Sequence, residues 1–277
     1  MLTSQVTDVL VNVFDAVVLP RYGRLASEDV QAKAPGDLVT IADREAEAEL
    51  TAWLRAVDPD ATVVGEEAVA ADPELKGSID TAAHVWLIDP VDGTGNFVKG
   101  NDDFGCLIAE LVDGVPVRSW IWQGIRRRLF VTERGRGVRV EHHPIAAETM
   151  ATLSLEAPRP QRAMLVGGVT PEYADLRGPG LAVPLPMTGS CTADYPLIAL
   201  GERDYLIHDG KQPWDHWPGL LMLEELGGTV AFLDGEPFSS TSANRLKLLA
   251  ARSPQVWDVV AAAAVRGDQA RLRAHPG

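Results

Sequence analysis

Apolar residues recur at helical spacing from the start of the chain. Val6, Val9, Leu10, Val13, Phe14 and Val17 share one stripe, which predicts an amphipathic helix over 3–19. Residues 24–36 are mostly polar, with Ser27, Glu28, Asp29, Lys33, Pro35 and Gly36, and read as a mobile surface segment. Asp37-Leu38-Val39-Thr40-Ile41-Ala42-Asp43 leads into a second helix. Thr40 is placed to cap it, and Asp43 follows three residues later in capping-box order. Glu45, Glu49, Leu50, Trp53 and Leu54 carry that helix to a stop before Asp58-Pro59. Residues 61–64 form a short strand candidate followed by Gly65-Glu66-Glu67, and 68–83 are polar without a period. Val85-Trp86-Leu87-Ile88 is an unbroken apolar run between turn residues, the mark of a buried strand.

Residues 104–140 alternate strand-like runs with turn residues and predict an antiparallel meander. Its strands are expected at 104–112, 117–122, 129–132 and 137–140, the first of them nearly all apolar and so central. The cluster Arg126-Arg127-Arg128 falls in a hairpin turn and reads as solvated rather than as a polyanion site. Residues 144–152 form a connector. The second half holds strand-like runs at 153–156, 163–166, 205–208, 229–233 and 246–251, with a Pro/Gly-rich stretch over 167–186. Helices are expected at 192–200, at 214–226 ending on Gly227-Gly228, and at 256–265. Strands and helices are mixed along the whole chain, so the class is α/β. The best division is two lobes, 1–148 and 149–277, that share one site.

Composition narrows the functions open to this chain. Its 277 residues suffice for one large α/β domain or two small lobes, and 46% of them are hydrophobic, enough for a sizeable core. The net charge of −14 argues against a surface built to hold a nucleic-acid polymer, which would need clustered Lys and Arg. Cys106 and Cys191 form neither a CxxC pair nor a zinc spacing, and Cys106 reads as a small core residue. There is no secretory leader pattern and no apolar run long enough for a membrane span. The expectation is a soluble, cytoplasmic protein with no membrane partner.

The chemistry concentrates in Asp89-Pro90-Val91-Asp92-Gly93-Thr94-Gly95-Asn96-Phe97, directly after the apolar run. Two acids three residues apart on a turn supply the oxygen ligands that a hard divalent cation needs. The glycines let backbone N–H groups close around an anion. Plain turn geometry explains an isolated Asp-Gly, but not Pro, a second Asp, Thr and Asn in one tight run. Asp43, Glu66-Glu67 and Asp215 are further acids, each with an ordinary reading as a cap or a solvated pair.

Taken in order, Asp37 to Asp43, Gly65-Glu66-Glu67, Asp89 to Phe97, and Trp214-Asp215 with Gly219 make the chain resemble the inositol monophosphatase family, within the lithium-sensitive, Mg²⁺-dependent phosphatases. The resemblance covers nearly the whole chain. It implies an αβαβα sandwich, the sugar-phosphatase fold, and a Mg²⁺-dependent phosphomonoesterase acting on a small phosphorylated metabolite, with two to three Mg²⁺ ions and inhibition by Li⁺. It also implies a homodimer. By the same resemblance Glu66, Asp89 and the Val91 carbonyl hold a first ion; Asp89, Asp92 and Asp215 hold a second; Glu66 helps place a weaker third. Gly93 and Thr94 N–H groups bind phosphate, Thr94 and Asp43 orient and help deprotonate the attacking water, and Glu67 supports them from behind. Asp92 and Ala193 match positions near the substrate. The chemistry is coherent by itself: phosphate monoesters repel hydroxide, and divalent ions cancel charge, lower the pKa of water and stabilise the leaving oxygen.

Two rival enzymatic readings fail on spacing. Aspartate-nucleophile phosphatases of the haloacid dehalogenase type carry Asp-x-Asp-Gly-Thr, and Pro90 stands here two residues before Asp92. Ser190 lacks a Gly-x-Ser-x-Gly setting, and neither Ser190 nor Cys191 has a recognisable His partner. A non-catalytic regulatory relative is the rival of another class, and the intact acid set argues against it. The departures from the family concern substrate. A Glu that contacts substrate hydroxyls lies in the family seven residues before the last metal Asp; His208 stands there, as a substrate contact or as a strand-end histidine with no ligand role. Trp217 replaces a small residue, and Pro218 is expected in the first turn of its helix. Histidinol phosphate and 3′-phosphoadenosine 5′-phosphate are therefore alternatives to an inositol phosphate.

Overall fold

The first apolar stripe becomes α1 (Leu2–Val13), which runs on through a π-helical turn and a 3₁₀ turn to Arg21. At 20 residues this segment is long and apolar enough to cross a membrane by length and composition alone, contrary to the sequence expectation. In the fold its stripe of Val6, Leu10, Val13, Phe14, Val17 and Val18 is core. The computed structural model describes residues 2–34, 37–143, 151–154, 163–209, 212–240 and 247–274.

The polar segment after α1 is not a surface loop throughout. It contains strand β1 (Val30–Ala34), paired antiparallel to β2 (Asp37–Thr40) with Val30 opposite Thr40. Its side chains are largely exposed, so no apolar alternation marks it as a strand. Helix α2 (Ile41–Val57) carries the capping box as read: Ala42 N–H donates to Thr40 Oγ1 at 3.1 Å, and Thr40 N–H donates to Asp43 at 2.9 Å.

β3 (Thr62–Gly65), α3 (Glu66–Ala71), β4 (His84–Asp92) and α4 (Thr94–Lys99) follow. The meander is β5 (Gly105–Val112), β6 (Val115–Gln123), β7 (Arg128–Glu133) and β8 (Gly137–His142), with β9 (Ala151–Ser154) at its edge. These seven strands lie in sequence order, and only β3 and β4 run parallel. Arg126 and Arg127 do sit in the β6–β7 turn, while Arg128 opens β7, and only Arg126 is well exposed. Arg127 pairs with the Asp15 carboxylate at 2.9 Å and lies over the Trp122 ring, and Arg128 donates to Gln123 at 2.8 Å.

The second half supplies β10 (Gly167–Val169), β11 (Leu185–Pro186), α5 (Cys191–Ala199), β12 (Tyr205–His208), α6 (Pro213–Glu225), β13 (Thr229–Phe232), β14 (Leu248–Ala251) and α7 (Pro254–Ala274). Its sheet has the order β11-β10-β12-β14-β13. The expected strand at 163–166 is replaced by β10, built from residues that read as loop. A Cβ on Gly167 would stand 2.2 Å from the Tyr205 ring, and one on Gly168 2.0 Å from Arg203. The glycines are there for close neighbours, not for a turn. Helix α6 begins at Pro213, so Pro218 lies inside the helix rather than in its first turn, and Trp217 packs edge-on against Phe238.

Strand alternation sorts the side chains into layers. Trp86, Ile88, Cys106, Ile108, Trp120 and Trp122 face α1 and α2. Leu87, Leu107 and Phe130 face Tyr195 of α5, Trp217 and Leu220 of α6, and Leu206 of the second sheet. Tyr205, Ile207 and Leu249 on the far side of that sheet meet Val256 and Val260 of α7. The result is the expected αβαβα sandwich. The middle core takes residues from both halves, and the proposed boundary at 148–149 lies outside the described residues, as do the connector's residues 144–150, residues 155–156 of the predicted strand over 153–156 and residue 246 of that over 246–251.

Gly167→Ala forces a buried Tyr205 ring to move, so it should lower stability by about 1–3 kcal/mol. Denaturant unfolding checks this; an unchanged or raised midpoint would contradict the packing described.

Candidate active site

Residues three apart on a regular strand face opposite sides of the sheet. Asp89 and Asp92 nevertheless face one cavity. The register explains it: Asp89 pairs with Leu107, but Asp92 pairs with Gly105, so β4 spends one residue more than β5. This bulge turns the second acid to the side of the first. Pro90, which has no N–H to give to a ladder, sits inside the irregularity. Gly93 then takes a left-handed conformation, φ 83°, with Ser190 and the Asp103 carbonyl so close that a Cβ would lie 2.8–2.9 Å from them. Thr94 opens α4 behind it, with its hydroxyl 3.0 Å from both Asp43 Oδ1 and the Val91 carbonyl.

The remaining acids arrive from separate elements. Asp215 lies in the first turn of α6, and one carboxylate oxygen each from Asp89, Asp92 and Asp215 fall within 4.8 Å of one another. Glu66 is the first residue of α3. That helix start is held by Glu47 of α2, which accepts from Glu67 N–H and Ala68 N–H, each at 2.8 Å. Gly65 leaves room for this, since a Cβ there would stand 2.1 Å from the Glu47 carboxyl carbon. Lys33 of β1 bridges Glu66 at 2.6 Å and Glu67 at 2.9 Å. Asp92 is held from the second half of the chain: Ser190 Oγ donates to Oδ2 at 2.5 Å and Thr192 N–H donates to it at 2.6 Å.

Glu47, Lys33, Ser190 and Thr192 have no role in the sequence reading. Only Gly65, an invitation to close approach, hints at Glu47. Among the expected site residues, Glu66, Asp89, Val91, Asp92, Gly93, Thr94, His208 and Asp215 line one cavity of about 670 Å³. Asp43 lies behind Thr94, fully buried. Ala193 is buried away from the lining. Helix α5 starts at Cys191, and its turn brings Cys191 and Asp194 to the cavity in place of Ala193. His208, at a strand end as read, is 7% exposed, and its Nε2 has no hydrogen-bond partner among the described residues. Thr170 Oγ1 and Trp214 Nε1 are buried in the same wall, also without partners among the described residues.

Burial dominates the electrostatics. It pushes Asp89 and Asp215 well above the usual carboxylate range; the charge of Glu66 adds to the rise at Asp89, and that of Asp92 at Asp215. Burial raises Asp92 as well, against the bonds from Ser190 and Thr192. Burial lifts Glu66 to about 7 despite Lys33, Asp43 to about 6 despite its bonds from Thr40, and Glu47 to about 7. His208 is driven down to about 4 by burial and is neutral at neutral pH. A wall of oxygen donors so close together and so buried calls for positive charge, and the donor set of Glu66, Asp89, Asp92 and Asp215 with the Val91 carbonyl fits a hard divalent cation.

Fold and site together define a layered α/β protein whose cavity is built around a carboxylate metal-binding cluster. A profile of the inositol monophosphatase family matches residues 4–269, and the chain belongs to that family, a metal-dependent one. The Nus factor SuhB of Escherichia coli is 30% identical over 218 residues, 75% of this chain and 76% of its own length. An inositol-1-monophosphatase of a Synechocystis species is 28% identical over 233 residues, 80% of this chain and 76% of that one. Among solved structures, the Thermotoga maritima IMPase superposes with a TM-score of 0.71 at 22% identity, covering 94% of this chain and 96% of that one. A staphylococcal IMPase complexed with products gives 0.72 at 18% identity, over 92% and 93%. These two show the shared fold.

The raised carboxyl pKa values set the sign of the pH dependence. Folded Asp43, Glu47 and Glu66 keep protons that the unfolded chain, titrating near 3.8–4.5, has already lost. Without divalent ions, stability must therefore fall as pH rises through this window towards about 7. In a chelator, Tm should drop between pH about 5 and about 8, and added divalent ions should raise it most at the upper end. A Tm that climbs over this range and ignores metal would refute the assignment of charge.

Proposed function

We propose that this chain is a Mg²⁺-dependent phosphomonoesterase that hydrolyses a small phosphorylated polyol or related metabolite by direct attack of water. The observation that carries the reading is the carboxylate trio, with oxygens within 4.8 Å of one another, in the same cavity as a left-handed glycine turn and the Thr94–Asp43 pair. Glu66, Asp89 and the Val91 carbonyl would hold one ion, Asp89, Asp92 and Asp215 another, with Glu66 beside a weaker third. Bound there, divalent cations supply charge neutralisation for the ester and ease both water attack and alcohol departure.

The chain's own groups do the rest. Gly93 and Thr94 N–H stand at the start of α4, where backbone donors have no partner within the helix; they bind phosphate oxygens. Thr94 Oγ faces the attacking water and passes its own proton to Asp43 Oδ1, 3.0 Å away, as it takes one from the water. Asp43, raised to about 6 by burial, has the basicity for that exchange near neutral pH. The water oxygen bonds to phosphorus, the bond from phosphorus to the alcohol oxygen breaks, the leaving alkoxide takes a proton from solvent water, and Asp43 releases to solvent the proton it received. Thr170 Oγ1, His208 Nε2 and Trp214 Nε1 offer hydrogen bonds to the alcohol half.

A substrate carrying a heteroaromatic ring is favoured over a plain polyol by two features. The neutral His208 imidazole stands where the family places an acid. Beside the main cavity, sharing Thr170 and Met187 with it, lies a cleft of about 420 Å³ lined by Val169, Ala174, Pro184 and Leu185. Both suit histidinol phosphate or 3′-phosphoadenosine 5′-phosphate. The relatives named Nus factor support a second reading of another class, a regulatory protein that binds metal without hydrolysis. The family reading brings a homodimer with it, and two cysteines far apart in sequence fit a cytoplasmic setting.

Phosphate release from inositol 1-phosphate, histidinol phosphate, 3′-phosphoadenosine 5′-phosphate, NADP and fructose 1,6-bisphosphate, each with and without Mg²⁺ and Li⁺, tests the reading. Mg²⁺-dependent, Li⁺-inhibited turnover of at least one is expected, and turnover without Mg²⁺ would contradict it. Thr94→Ala should lower kcat about 10²–10⁴-fold with the fold intact. Asp92→Asn should abolish release; unchanged release would sink the site.

A further inference from the structure

The cavity wall changes chemistry beside the carboxylates. Cys191 Sγ, a ring nitrogen of His208 and a ring nitrogen of His216 lie within 4.8 Å of one another. They come from three different elements, α5, β12 and α6, and are 7%, 7% and 3% exposed. All three line the cavity. His208 Nε2 is buried there without a hydrogen-bond partner among the described residues. Tyr195 fixes both rings: its hydroxyl meets His216 Nδ1 at 2.9 Å, and its ring stacks on His208 with centroids 5.3 Å apart and planes 11° from parallel.

We propose that Cys191, His208 and His216 form a second metal site, separate from the carboxylate cluster and selective for a borderline-soft divalent cation such as Zn²⁺. One sulfur and two imidazoles make a donor set that Mg²⁺ shuns and Zn²⁺ prefers. Three protein ligands leave a fourth position, which here opens on the cavity. Bonds of about 2.0–2.3 Å hold the ligand atoms of a tetrahedral ion roughly 3.5 Å apart, so even the widest pair closes by little more than about 1 Å. With Nδ1 turned to Tyr195, His216 offers Nε2, and the tyrosine is the outer partner that orients a metal-bound imidazole. On binding, the Cys191 thiol gives its proton to solvent and a sulfur–metal bond forms; nothing is oxidised or reduced. Binding stands apart from the phosphatase reading. If that reading holds, an ion here takes His208 Nε2 from the alcohol half and so competes with substrate.

Cobalt titration of the reduced, metal-stripped full chain in saturating Mg²⁺ tests this directly. Oxygen ligands give Co²⁺ no sulfur signal. The wild type should develop a thiolate-to-cobalt charge-transfer band that saturates at one equivalent per chain and is bleached by one equivalent of Zn²⁺. Cys191→Ser should abolish the band, while Cys106→Ser and Asp89→Asn keep it. Tyr195→Phe should weaken cobalt affinity about 10- to 100-fold. Absence of the band in the wild type, or its survival in Cys191→Ser, would overturn the proposal, and neither result bears on whether phosphate esters are hydrolysed.

Discussion

Buried carboxylates repel one another, and the rest of this structure answers to that fact. Asp89, Asp92, Asp215 and Glu66 are drawn from three elements into one wall, where burial and mutual charge make them poor anions until a cation arrives. A fold that only minimised its own energy would keep them apart. The chain instead invests a β-bulge, a left-handed glycine and a dedicated helix cap in bringing them together, which is how strain and misplaced charge mark a functional site.

The surrounding scaffold fixes the cluster from both halves. Asp92 belongs to the first sheet but takes its hydrogen bonds from Ser190 and Thr192, about a hundred residues later in the chain. Asp215 comes from α6, a helix in the layer between the two sheets, packed against both. The site therefore exists only when the middle layer of the sandwich is assembled. The same middle layer carries Tyr195, which stiffens the histidine side of the cavity.

What was legible in the sequence was local. The capping box at Thr40 and Asp43, the apolar run before Asp89 and the glycine stop after α6 depend on residues a few positions apart. The Asp89–Asp92 spacing was visible, but its consequence was not: without the bulge the two acids would face opposite ways. Gly65 apart, contacts between distant residues left no trace. Lys33 reaches Glu66 because β1 pairs with β2, and β1 has no apolar alternation to announce it. Gly167 and Gly168 read as loop because their partners, Tyr205 and Arg203, are far along the chain. Arg127 reads as solvated until Asp15 is placed beside it. The phase of α5 decided that Cys191, not Ala193, meets the cavity.

The claim on which the account rests is that the buried acids exist to hold divalent cations. Calorimetric titration of Mg²⁺ into the metal-stripped protein, beside the folded Asp89→Asn/Asp215→Asn double variant, tests it most directly. The account predicts saturable binding to the wild type and its loss in the variant, whose metal-free form should be the more stable of the two because two buried acids that resist ionisation are replaced by neutral amides. Equal binding by both proteins, or no binding by the wild type, would contradict it.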